Sequence, residues 1–148
     1  MKKFKIKIKE DCLEDALLVS IQIPEFDAVY SKSEYENRLK DAKHLLLTAY
    51  VKNKPVGFKI GYETTSKQNF YSWMGGVLPK YRQLGIAAKL SEFQEQWAAK
   101  AGYLRILVKT RNKHKAMIKL LQKRGFIQMG IIPYDPDEES RILYEKKL

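Results

Sequence analysis

Lys80, Arg82, Gly85 and Ala87 are the residues of this chain whose types and spacing first suggest chemistry. They lie within Val77-Leu78-Pro79-Lys80-Tyr81-Arg82-Gln83-Leu84-Gly85-Ile86-Ala87-Ala88. The pattern Arg82-x-x-Gly85-x-Ala87 places small residues where a backbone must pass close to a ligand. Lys80 and Arg82 bring two full positive charges to the same turn. A helix beginning here would present unpaired N–H groups and a partial positive charge in its first turn. Such a first turn would suit a phosphate or pyrophosphate. A tight turn needing glycine only for packing would use the same short pattern.

The flanking segments supply the helix. Phe70 to Leu78 is an apolar run rich in aromatic and branched residues, the length of one strand. It stops at Pro79, which cannot donate to a sheet ladder. Ile86 to Ala101 reads as a helix, with Ile86, Leu90, Phe93 and Trp97 at spacings 0, 4, 7 and 11 on one face. Gly102 suits the helix C-cap, and Tyr103 to Val108 is a second apolar run. Strand, helix, strand with a crossover of this length predicts a parallel pair joined right-handedly.

With Asn112-x-x-x-Ala116-Met117-Ile118-x-Leu120-Leu121-x-x-x-Gly125-Phe126 added, residues 70–127 resemble, motif by motif, the acetyl-CoA-binding core of the GNAT N-acetyltransferase superfamily. The resemblance implies an α/β (α+β) fold. One domain over residues 1–148 would hold a mixed central sheet of about six to seven strands, flanked by about four helices. It also implies direct transfer of an acetyl group from acetyl-CoA to a primary amine, a small molecule in preference to a protein. Backbone groups of Val77 and Leu78 would hold the pantetheine arm in a gap between the parallel strands. Arg82, Gln83, Leu84, Gly85, Ile86, Ala87 and Ala88 would hold the pyrophosphate, and Asn112 would hydrogen-bond the pantetheine or cap the next helix. The runner-up is a GNAT-fold module that binds acyl-CoA without catalysing transfer. Members often form homodimers.

Catalysis must begin by deprotonating the amine. An alkylammonium with a pKa near 10.4 costs about 4.6 kcal/mol to neutralise at pH 7, so a base is required, and an acid for the departing thiolate. Where many family members place a glutamate before the turn, this chain has Tyr71. Where others place an acidic tyrosine, it has Leu121. The catalytic candidates are Tyr71, Glu25, which falls where the family's first helical hairpin walls the acceptor site, and Tyr134, in a loop able to fold over it. Glu63 is a further candidate, and His114 reads as a solvent-facing helix histidine.

The rest of the 148 residues bounds these readings. One cysteine, Cys12, excludes an internal disulfide and reads as a small buried apolar residue. Two distant histidines do not suggest a metal centre. No apolar stretch reaches the roughly 18 residues of a membrane span, and the N-terminus has no continuous apolar signal segment; a cytoplasmic setting is the simplest expectation. The 28 basic and 17 acidic residues give +11, which attracts polyanions. No recognised nucleic-acid motif accompanies that charge, so nucleic acid is disfavoured as a partner.

Along the chain, Lys2 to Lys9 alternates as a half-exposed strand. Asp11-x-x-Glu14 and Ser33-x-x-Glu36 have the form of capping boxes. The first would open a helix with an apolar stripe of Leu13, Leu17, Leu18 and Ile21, ended by Pro24. The second would open a short polar one with Tyr35 and Leu39 inward. His44 to Val51 and Pro55 to Tyr62 read as a hairpin about Lys52-Asn53-Lys54, followed by a polar surface loop from Glu63 to Asn69. Ala116, Met117, Leu120 and Leu121 mark a helical face. Lys115, Lys119 and Lys123 lie on or near its other side, from which one or two could meet the ribose phosphate of the implied cofactor. Phe126 to Ile132 and Arg141 to Glu145 read as strands about an acidic loop from Tyr134 to Ser140.

Overall fold

Seven strands form one mixed sheet in the order β1-β2-β3-β4-β5-β7-β6 in the computed structural model, which describes residues 4–27 and 29–148. The strands are β1 (Ile6–Glu10), β2 (His44–Val51), β3 (Lys54–Glu63), β4 (Asn69–Val77), β5 (Arg105–Arg111), β6 (Ile127–Ile132) and β7 (Arg141–Lys147). Four helices accompany them: α1 (Leu13–Ser20), α2 (Lys32–Leu39), α3 (Ile86–Lys100) and α4 (Lys115–Lys123). Every neighbouring pair is antiparallel except β4 and β5, which α3 joins as a parallel crossover. Lys2 and Lys3, part of the expected first strand, lie outside the described residues.

The helices take opposite faces of the sheet. Along β3, Phe58 meets the ring of Phe26, which follows α1, while a Cβ on neighbouring Gly57 would lie 3.2 Å from Ile86 of α3. Successive strand residues point to opposite sides. Gly61, on the α3 side, has no room for a side chain: a Cβ there would lie 2.4 Å from Phe70 and 2.9 Å from Gln94. Phe58, Ile60, Phe70, Ile86, Leu90 and Ile106 are fully buried at the centre of the core.

Local chemistry ends the elements where the site needs them to end. After α3, Gly102 at φ +96° donates to Ala99 O and Tyr103 donates to Ala98 O, which satisfies the last carbonyls and turns the chain into β5. Gly125 and Phe126 repeat the device after α4, onto Gln122 and Leu121. Lys52 and Asn53, at φ +51° and +65°, make the two-residue turn whose twist suits the β2–β3 hairpin.

Several sequence expectations are corrected. Asp11 caps nothing: its N–H donates to Leu46 O, so the chain leaves the sheet one residue late and Cys12 becomes the N-cap of α1. The face α1 buries is Ala16, Val19 and Ser20, with Leu13 and Leu17 at its margin; Leu18 and Ile21 are exposed. Small residues let this helix lie close to the sheet. The capping box of α2 is formed by Ser31 and Glu34, not Ser33 and Glu36. Both serines have a glutamate three residues on, and use of the earlier one adds half a turn before Tyr35, which is buried with Leu39 as expected. On α4 the inward face is Met117, Ile118 and Leu121, and Ala116 is exposed.

Candidate functional site

β4 and β5 part company midway. Their ladder runs from Asn69↔Arg105 to Ser72↔Val108 and stops. Beyond that point β4 stays on β3 as far as Gly57↔Val77, while β5 stays on β7 as far as Arg111↔Arg141. Trp73 is the extra residue of a bulge in β4, between Ser72, paired with Gly61, and Met74, paired with Ile60. A bulge bends and twists its strand. The result is a gap between Met74–Val77 and Lys109–Arg111 whose walls keep hydrogen-bonding groups without a ladder partner across it.

The turn at the head of β4 is built from backbone. A 3-10 turn over Pro79–Tyr81 leads through Gln83 at φ +63° to Gly85 at φ +84°, the N-cap of α3. The first helical bond runs from Lys89 N–H to Gly85 O. Among the described residues, none of the six N–H groups from Gln83 to Ala88 has an acceptor within the chain. Nothing lies within 4 Å of where a Gly85 Cβ would stand, so the approach is open. Ile86 is buried and anchors the turn; Ala87 and Ala88 are half-buried, and Leu84 points outward. Six unpaired amides at a helix start are complementary to a diphosphate, so the residues present fit the pyrophosphate of a nucleotide-bearing cofactor.

Other sequence candidates are already engaged. Arg82 folds back: its Nε donates to Val77 O at 3.0 Å and its two terminal nitrogens fork onto the Glu25 carboxylate at 2.6 and 2.9 Å. Leu78 N–H donates to Val56 O at 2.8 Å. The groups left for a ligand are therefore the turn amides and the gap-facing edge of β4 beyond Ser72. Asn112 donates to Asp137 Oδ2 at 3.1 Å and accepts from Lys115 at 2.9 Å, tying the start of α4 to the β6–β7 loop.

Side chains from three separate segments wall the other side of the gap. Asp27, from the α1–α2 connection, pairs with Arg111 and Lys113 at the exit of β5. Those cations also hold Glu139 of the β6–β7 loop, Lys113 at 2.7 Å. Glu25 and Asp27 are both held below the usual carboxylate range, Glu25 first by its hydrogen bond from Arg82 and Asp27 by that from Arg111.

His114, expected from the sequence to face solvent, is half-buried. It is the N-cap of α4, at the end of the β5 exit, with Arg111, Lys113, Glu25 and Asp27 as its charged neighbours. Burial first, then Lys113 and Arg111, push its pKa below the ordinary 6.5, against the opposing pull of Glu25 and Asp27. The imidazole is therefore neutral at pH 7. Nothing in its local sequence signals these neighbours, because Glu25 and Asp27 reach it from the α1–α2 connection.

Tyr71 sits on β4 opposite Leu107, below the divergence, edge-on to Tyr62 at 5.6 Å, and burial pushes its pKa up to about 12. Tyr134 lies half-exposed in the β6–β7 loop under the Arg141 guanidinium at 4.5 Å. Glu63 is at the far, closed end of β4, accepting from Tyr103 at 3.0 Å. Cys12 is free and half-buried. The described residues contain no group of three or more His, Cys, Asp or Glu able to hold a metal ion, and none of their helices is long and apolar enough to cross a membrane.

The sequence profile of the acetyltransferase (GNAT) family matches residues 14–126. No curated protein matches the chain by sequence. The ribosomal-protein-S18-alanine N-acetyltransferase of Escherichia coli has a similar fold, with a TM-score of 0.82 at 18% identity over 97% of this chain and 94% of that one. Naa50 of Arabidopsis thaliana, in complex with the bisubstrate analogue CoA-Ac-MVNAL, gives 0.79 at 18% identity, over 97% and 99%. A GNAT family acetyltransferase from Elizabethkingia anophelis with acetyl-CoA bound gives 0.74 at 19%, over 97% and 98%.

Proposed function

The chain belongs to the acetyltransferase (GNAT) family, an acetyl-CoA-dependent family of N-acetyltransferases, and from that premise we propose that its acceptor is the primary amine of a small molecule. The observation that carries the cofactor half of this reading is the run of six unpaired amides from Gln83 to Ala88 at the head of a strand that has left its partner. The acceptor half is supported by the ion pairs of Asp27, Arg111, Lys113 and Glu139, which draw the α1–α2 and β6–β7 segments together at the mouth of the gap. A mouth tied together in this way would favour a small amine over a polypeptide. A protein N-terminus, as in the analogue bound by the Arabidopsis relative, is the competing acceptor class.

Acetyl-CoA supplies an activated thioester; the chain supplies position and a proton acceptor. The amides of Gln83 to Ala88 hold the diphosphate, and β4 beyond Ser72 offers its unladdered edge to the pantetheine arm. Among the titratable groups near the gap, His114 is best suited to take the ammonium proton, because it is neutral at pH 7 and lies beside the carboxylates of Glu25 and Asp27. Glu25 is a poor base while Arg82 forks onto it. Tyr71, with its pKa pushed up to about 12, holds its proton throughout.

A second reading, acyl-CoA binding without transfer, is favoured by Leu121, which is buried in the core at the position where some family members are expected to carry a tyrosine acid. The test is release of free CoA thiol on mixing acetyl-CoA with a panel of small amines, polyamines, aminoglycosides and peptide N-termini. Thiol release with a small amine above the rate with peptides supports the proposal. Binding without release against the whole panel selects the second reading.

A further inference from the structure

Lys59 is a half-buried lysine beside the β4–β5 gap that no carboxylate holds. It lies on β3 opposite Gly75, in the stretch of β4 that has left β5. Alternation along β3 puts it on the same side as Gly57, the side of α3. Gly75 has no side chain to stand in its way: a Cβ there would lie 3.6 Å from Lys59 Cγ, so the stem leans over β4 at the glycine. The charged neighbours of its amino group are Glu95 of α3 and Arg124, the C-cap of α4. Those helices precede and follow β5, so the amino group is carried across β4 towards the gap.

Glu95 does not neutralise it. Both oxygens of that carboxylate are taken, Oε2 by Arg124 at 2.8 Å and Oε1 by Lys146 at 2.6 Å. Among the described residues Lys59 makes no ion pair. An ammonium group withdrawn from water without a partner is disfavoured. Burial, opposed by Glu95 and reinforced by Arg124, pushes the pKa of Lys59 down to about 8. At that pH about half of the side chain is the neutral, nucleophilic amine, whereas a lysine in water has less than about 1% in that form.

We propose that Lys59 is a self-acetylation site, taking the acetyl group of acetyl-CoA seated in the gap beside it. The neutral Nζ attacks the thioester carbonyl. An N–C bond forms, the C–S bond breaks, and the proton lost from nitrogen goes to the departing CoA sulfur. The products are Nε-acetyl-lysine and CoA, with no further co-reactant. The amide carries no charge, so the modification removes an unneutralised cation from between α3 and α4. The inference rests on the reading that the pantetheine arm lies along β4 beyond Ser72.

Peptide mass spectrometry of the wild-type chain after incubation with isotope-labelled acetyl-CoA at pH 8 tests it, with calorimetry on the same sample. Lys59 should carry about tenfold or more label than the exposed Lys52, Lys54 and Lys80. Excess unacetylated CoA should suppress the label on Lys59 and leave the exposed lysines as they were. Acetyl phosphate, a donor without the pantetheine arm, should label the exposed lysines and show no preference for Lys59. Label on Lys59 no higher than on the exposed lysines, or label that CoA does not suppress, in a chain that gives heat with acetyl-CoA, would overturn self-acetylation and leave the cofactor assignment standing. No heat with acetyl-CoA would overturn both.

Discussion

The two walls of the β4–β5 gap are made of different material. On the β4 side the groups offered are main-chain N–H, fixed by a proline, a glycine at φ +84° and the start of a 15-residue helix. On the β5 side they are side chains, the charged Arg111 and Lys113, held against Asp27 and Glu139 from segments 84 and 28 residues from Arg111 in the chain, and the neutral imidazole of His114. Backbone amides survive every substitution except one to proline and cost nothing to orient once the fold is formed. Charged side chains must be positioned by one another, and each exchange of one alters the rest. The first wall suits a ligand that does not vary; on the proposed function, the second is where an acceptor preference could change without disturbing the fold.

The largest expected effect breaks the first wall. Gly85→Glu puts a carboxylate where the diphosphate would lie and replaces a left-handed glycine. Acetyl-CoA affinity should fall by about 100-fold or more by calorimetry. The strain at φ +84° should lower stability by only about 1–2 kcal/mol, a few degrees in Tm. Unchanged affinity in a folded variant would remove the phosphate assignment.

That asymmetry also explains what the sequence made legible. Pro79, Gly85, Gly102 and Gly125 dictate local backbone, and the turn, α3 and the ends of β4 and α4 were readable from them because each signal acts on its own neighbours in the chain. The β2–β3 hairpin and the parallel β4–β5 pair followed from the lengths of their turn and crossover. The other wall was not readable, because the pairing of Arg111 with Asp27 depends on where α1 ends and how β5 meets β7. The burial of His114 was not readable for the same reason: helical position says which way a residue faces its own helix, not which segments gather beside it. Asp11 misled because a local capping pattern competed with a sheet bond to Leu46, and the sheet bond prevailed.

His114→Ala tests the second wall at its centre. If the imidazole takes the proton, kcat should fall by about 100-fold or more while acetyl-CoA affinity stays within about twofold. The pH profile supplies the sign. The pKa of His114 is lowered from 6.5, so its protonated form is disfavoured in the folded chain. Wild-type rate and stability should therefore both be lost as pH falls from about 6.5 through the lowered folded value. The variant should lack that acid limb in both. An acid limb that persists in the variant's rate would move the proton acceptor elsewhere.

A smaller effect is expected where the two walls meet. Arg82 bridges them, with one nitrogen on the β4 carbonyl of Val77 and a fork on Glu25. Arg82→Lys keeps the charge but cannot make the fork and the third bond together. About tenfold should be lost in kcat/KM for the acceptor, with less change in acetyl-CoA affinity because the turn amides remain. Equal losses in both would place Arg82 on the cofactor after all.

Lys113→Gln should give the smallest effect. Lys113 shares Asp27 and Glu139 with Arg111, so its loss leaves both carboxylates still paired and the cluster one charge more negative. Exposed pairs of this kind contribute little, so the melting temperature should move by no more than about 3 °C. The acceptor is a different matter. A small amine arrives as a cation at pH 7, and an extra unit of negative charge at the gap mouth should lower its KM by about threefold at low salt. At ionic strength near 0.5 M that gain should vanish, because exposed charges are then largely screened beyond about 5 Å. A KM that rises instead would mean that Lys113 holds an anionic group on the acceptor. The second wall would then recognise an acid as well as an amine.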